Sequence, residues 1–144
     1  MLGRQTRRDH NLTLLDVFGQ VLWRTSRLAS ACIPLTPMLR ILDWVPTRSS
    51  RTCSANTLQD VRRFILGRGN PMLSQECVPR SITAYVLLRL GGVAAEMRVG
   101  VGVAPFRAHS WVVVPDDTIF LDDGNEIDSY SVISGTHLQH RHGL

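Results

Sequence analysis

The chain has 144 residues, 44% of them hydrophobic and 19% charged, with a formal net charge of +4. That length suits one domain able to fold without a staple, and the composition reads as soluble and globular rather than disordered. All 16 basic residues are arginine, but they are scattered and form no dense patch, so neither the charge nor its pattern points to nucleic acid.

No apolar run approaches the ~20 residues that cross a bilayer. Arg4, Arg7 and Arg8 could open a secretory signal, but Asp9, His10, Asp16 and Gln20 interrupt what would be its apolar core, so a cytoplasmic protein is expected. Cys32, Cys53 and Cys77 are odd in number and unpaired in spacing, which predicts free thiols in a reducing compartment.

Leu14, Leu15, Phe18, Val21, Leu22 and Leu28 recur at helical spacing and predict one amphipathic helix. A short second helix is expected from Pro37 to Trp44, stopping before Pro46. Residues 47–56 are polar and read as a loop. Thr57 would cap a third helix, with Asp60 in its first turn and Gly67 at its end. Leu58, Val61, Phe64 and Ile65 would form its apolar face.

Glycine, asparagine and proline then make a loop of Gly67 to Ser74. From Cys77 to Leu90 the pattern is helical and apolar on nearly every side, which predicts a central, buried helix closed by Gly91 and Gly92. Met97, Val99, Val101 and Val103 alternate with polar or small residues as in a strand. A second strand from His109 to Val114 leads through Pro115-Asp116-Asp117 into a third, Thr118 to Asp122. The expected fold class is α+β, with N-terminal helices (1–56), a core of buried helix and antiparallel sheet (57–130) and a C-terminal tail (131–144).

Cys77 stands where a loop becomes a helix. Unpaired amides and the positive end of the helix dipole favour the thiolate over the thiol there. The alternative is a small buried hydrophobe, the usual fate of a free cysteine, and that is the expectation for Cys32 and Cys53. Of the five histidines, only His109 begins a predicted strand, on the face of Trp111 and Val113. A neutral imidazole facing a helix-start cysteine can take the thiol proton and form a reactive ion pair. A two-residue turn after Val114 would set His109 opposite Asp122, and a three-residue connection would set it opposite Asp123. Either carboxylate could hold the ring. Amides at the start of the Cys77 helix are natural oxyanion donors. Gln75 could assist them or be an ordinary polar loop residue. His137, His140 and His142 match no metal-ligand spacing, and thiol chemistry of this kind needs no metal or organic cofactor.

The order of helix cysteine, strand histidine and next-strand aspartate resembles papain-like folds in their transglutaminase-like branch. More closely, Cys77-Val78-Pro79-Arg80-Ser81, Leu87-Leu88-Arg89-Leu90-Gly91-Gly92, Arg98-Val99-Gly100-Val101 and Phe106-Arg107-Ala108-His109-Ser110-Trp111-Val112 resemble the lasso-peptide leader peptidases over roughly residues 55–125. The resemblance implies Cys77 as nucleophile, His109 as base and Asp122 as its orienting partner. It also implies a lasso precursor peptide as substrate, and a separate leader-recognition protein and a lasso cyclase as partners. Ser110 stands where that family usually has alanine, and Val113 where it often has glutamate.

Overall fold

The computed structural model describes residues 6–47, 55–66, 76–115, 118–121 and 127–136. Four helices come first: α1 (Thr6–Cys32), α2 (Leu35–Asp43), α3 (Ala55–Leu66) and α4 (Cys77–Leu90). Strands β1 (Glu96–Val103), β2 (Phe106–Val114) and β3 (Thr118–Phe120) follow, then a 3-10 turn at Ile127–Ser129 and strand β4 (Ser131–Gly135). The sheet order is β3-β2-β1-β4, and every neighbouring pair is antiparallel. The fold is α+β, as the element pattern predicts.

Helix α4 is the centre of the molecule. Every side chain from Ser81 to Arg89 is buried, Tyr85 and Leu88 completely. Its end is set locally: the Gly91 amide donates to the Leu87 carbonyl, and Gly92 turns the chain at a φ of 89° that suits glycine. Arg89 is the one charged residue among those buried here. Its Nε donates to the Val45 carbonyl at 3.0 Å, and its guanidinium lies over the Tyr85 ring, so the burial of charge is compensated. On one side α4 meets Met97, Val99, Val112, Val114 and Phe120 from the sheet, and on another Trp23, Val61, Phe64 and Ile65 from α1 and α3.

Strand β1 is the inner partner of two ladders. It pairs with β2 from Glu96↔Val113 to Val103↔Phe106, and with β4 through a register shift between Val99 and Gly100. Strand β4 carries the sheet past residue 130, where the sequence alone suggests a tail. Ser131-Val132-Ile133-Ser134-Gly135 has no apolar alternation to signal it. It is held instead by its ladder and by Thr136, whose amide donates to the Met97 carbonyl while its hydroxyl accepts from the Met97 amide, both at 2.9 Å.

Several boundaries move. Helix α2 starts at Leu35, since Pro37 lies in its first turn where a missing amide costs nothing. Helix α3 starts at Ala55, so Thr57 is inside it rather than its cap. Strand β2 begins at Phe106, and the described part of β3 ends at Phe120. The larger correction concerns α1. Its helical period is as expected, but Leu14, Phe18, Val21 and Leu28 do not form its buried face. Those four are exposed along with Val17, while Trp23 and Ser26 are buried and Leu15 and Leu22 pack on the core. Each residue turns the helix by about 100°, so Leu15 and Leu22 point well away from Leu14 and Val21. The period reveals two apolar stripes without saying which one meets the core.

Candidate active site

Cys77 is the first residue of α4 and is partly exposed. The Arg80 amide donates to the Glu76 carbonyl at 3.1 Å, closing the first turn. The amides of Cys77 and Val78 precede it, so they have no carbonyl four residues back within the helix, and Pro79 has no amide to leave unpaired. This is a local donor array beside the sulfur. Glu76 makes no side-chain cap. Its carboxylate instead meets Arg27 Nε of α1 at 3.1 Å. With both side chains more than a third exposed, that pair is worth at most about 1 kcal/mol, but it ties α1 to the residue before Cys77.

One turn further along α4, the buried Ser81 hydroxyl donates to the Ser110 carbonyl at 2.9 Å. The Ser110 hydroxyl, also buried, donates back to Ser81 Oγ at 3.1 Å. These two bonds fasten the start of α4 to strand β2 at the residue beside His109. Ser110 therefore has a structural use at a position where alanine would leave Ser81 with one partner fewer.

His109 is half-buried and lies opposite Gly100 of β1. Its ring is nearly parallel to that of Trp111, with centroids 6.0 Å apart, and tilted against Tyr130 at 5.4 Å. Trp111 and Tyr130 are themselves 6.3 Å apart, so the three rings form a triangle. Alternation along β2 puts this triangle on the face away from Val112 and Val114, which α4 covers. The β2–β3 ladder ends at Val112↔Phe120, and past it β2 is paired only with β1 among the described residues. Cys77 lies on the helix that covers one face of β2, and His109 lies on β2 itself. The described hydrogen bonds join their elements through Ser81 and Ser110.

Strand β3 pairs with β2 through Val114↔Thr118, a three-residue connection. Continued unbroken, that register would set residue 123 opposite His109. Leu121 interrupts it with a φ of 72°, a left-handed conformation uncommon for a branched side chain. Asp122 and Asp123 lie outside the described residues, as do Gln75, Cys53, His137, His140 and His142. Cys32 is exposed at the end of α1. Tyr130 went unnoticed in the sequence because a lone aromatic in a polar stretch has no period to flag it. Among the described residues, no group of three or more His, Cys, Asp or Glu side chains could hold a metal ion, and no helix is long and apolar enough to cross a membrane.

A family model described as the transglutaminase-like superfamily matches residues 19–135, from the middle of α1 to the last residue of β4. The chain belongs to the transglutaminase-like superfamily. That superfamily is generally one of cysteine hydrolases and transferases. Comparisons with curated proteins and with solved structures found no match. Cys77 at the start of the buried helix and His109 on the adjoining strand are the candidate pair of this chain. The Ser81–Ser110 bonds brace the elements that carry them.

Proposed function

We propose that this transglutaminase-like protein is a cysteine peptidase that removes the leader from a ribosomally made lasso-peptide precursor. One observation carries the reading: Cys77 opens a buried helix that Ser81 and Ser110 fasten to the strand bearing His109. Superfamily membership and the motifs around Cys77, Leu87–Gly92 and Phe106–Val112 support it.

His109 takes the Cys77 thiol proton, and the thiolate attacks the carbonyl at the leader–core junction. The sulfur–carbon bond forms, and the tetrahedral oxyanion is met by the amides at the start of α4. The carbon–nitrogen bond then breaks, and the His109 proton goes to the amine of the departing core peptide. Water, deprotonated by His109, hydrolyses the leader thioester and restores the thiol. Asp122 orients His109 in this scheme, with Asp123 as the alternative. The freed amine suits a separate cyclase that joins it to a side-chain carboxylate. A separate leader-recognition protein would present the substrate in the cytoplasm. The chemistry calls for no metal or organic cofactor.

Cleavage of the neighbouring precursor peptide, with its leader-binding partner present, tests this by mass spectrometry. Wild type should cut one bond, and Cys77→Ala and His109→Ala should not. Asp122→Asn should lower kcat by at least about ten-fold while Asp123→Asn does not; the reverse would move the orienting role to Asp123. Cleavage surviving Cys77→Ala would sink the nucleophile. A crosslinked product without a cut would point to acyl transfer. Binding without either would point to an inactive adaptor.

A further inference from the structure

The proposed mechanism has no use for the aromatic triangle around His109. Trp111 stands two residues along the same strand and is buried, so its ring is fixed on one side of the imidazole. Gly100, opposite His109, makes that placement possible: a Cβ there would fall 2.9 Å from Trp111 Cη2 and 3.0 Å from the Ser131 carbonyl oxygen. Tyr130 comes from a different element. It follows the 3-10 turn, where its amide donates to the Ile127 carbonyl at 3.0 Å, and it places its half-buried ring 5.4 Å from His109 and 6.3 Å from Trp111.

An imidazole that must both accept the thiol proton and deliver it to a leaving amine has to keep one rotamer while its charge changes. Two aromatic rings limit its rotation without competing for its nitrogens, and their faces tolerate the charged form. Trp111 bounds one side of the ring, and Tyr130 bounds another.

We infer that Tyr130 is a positioning residue for His109, its ring acting with Trp111 to hold the imidazole in the orientation needed by Cys77. This rests on the reading of His109 as the base. The part that matters is the aromatic ring, since its packing against the His109 and Trp111 rings is what restrains the imidazole.

The test reads alkylation of Cys77 by iodoacetamide at neutral pH, resolved by site in mass spectrometry, beside kcat and KM for precursor cleavage. The exposed Cys32 serves as the internal control. Wild type is compared with His109→Ala, Tyr130→Phe, Tyr130→Leu and Tyr130→Ala, each checked for an unchanged circular dichroism melt. His109→Ala should slow alkylation of Cys77 but not of Cys32. Tyr130→Phe should behave as wild type. Tyr130→Leu and Tyr130→Ala should each lower Cys77 alkylation and kcat by about ten-fold, with KM changed less than about two-fold. Unchanged alkylation in Tyr130→Leu and Tyr130→Ala would overturn the inference. So would an equal loss in Tyr130→Phe, which would assign the effect to the hydroxyl. A rise in KM alone would make Tyr130 a substrate contact. If His109→Ala leaves Cys77 alkylation unchanged, the base assignment itself fails, which is a separate result.

Discussion

Helix α1 runs for 27 residues and leaves Leu14, Val17, Phe18, Val21 and Leu28 exposed. Helix α4 has 14 residues, and Leu90 is its one large apolar side chain in that state. The two helices differ in what surrounds them. Strands β1 and β2 pack on one side of α4, and α1 and α3 on others, so every turn after the first meets protein. Among its described side chains, helix α1 meets α2, α3 and α4 with one stripe. Apolar content therefore does not decide burial; the number of neighbours does. The consequence for function is a rigid support. The helix that begins with Cys77 is held along its length, while α1 contributes Arg27 to the residue just before it.

The contrast can be broken first at Leu88, which is fully buried in α4. Leu88→Ala should lower stability by about 3–5 kcal/mol in urea unfolding. A loss below about 1 kcal/mol would mean that α4 is not the packed centre. Next comes Tyr85, whose hydroxyl donates to the Leu42 carbonyl at 3.1 Å. Tyr85→Phe should cost about 0.5–1.5 kcal/mol at neutral pH, the net value of one hydrogen bond, since the Leu42 carbonyl still accepts from the Val45 amide.

The same phenol predicts a pH effect. Burial raises its pKa above the ordinary 10.0, partly opposed by the nearby Arg89 charge. The unfolded chain then ionises first as pH rises, so the Tyr85 contribution is complete below the unfolded pKa. It is lost as pH climbs from there through the higher folded value. Tyr85→Phe should flatten the decline above pH ~10 relative to wild type; two parallel alkaline profiles would refute the link.

Smaller effects are expected on α1. Trp23 is buried, and its Nε1 has no hydrogen-bond partner among the described residues. Trp23→Phe loses contact area but removes an unmatched donor, so the net change should stay within about 1 kcal/mol. A cost near that of Leu88→Ala would show that the indole nitrogen is satisfied in solution. Smallest of all, Leu14→Ser and Leu28→Ser should each shift stability by less than about 0.5 kcal/mol in thermal melts. A larger loss would show that this stripe is covered in the folded chain.

Much of the architecture can be read from local pattern. The period along 77–90, closed by Gly91 and Gly92, specifies α4 and its burial because each turn repeats the same requirement. The alternation from Met97 to Val103 specifies β1, and the face shared by His109 and Trp111 follows from the pleat. The site is less readable. Ser110 looks like a minor departure from a motif until Ser81 is seen against it, and Tyr130 has no motif at all. Strand β4 is also silent, because its pairing with β1 needs a register shift and its residues do not alternate.

The chain by itself therefore determined the α+β class, the helix that Cys77 opens and the strand that carries His109. Each depends on residues within a few turns or pleats of one another. Only the tertiary structure decided which stripe of α1 meets the core, that Thr136 closes β4 onto Met97, and that Trp111 and Tyr130 gather around His109 over Gly100. Those outcomes join residues far apart in the sequence. Whether such a contact forms depends on how whole elements pack, and no local period encodes that.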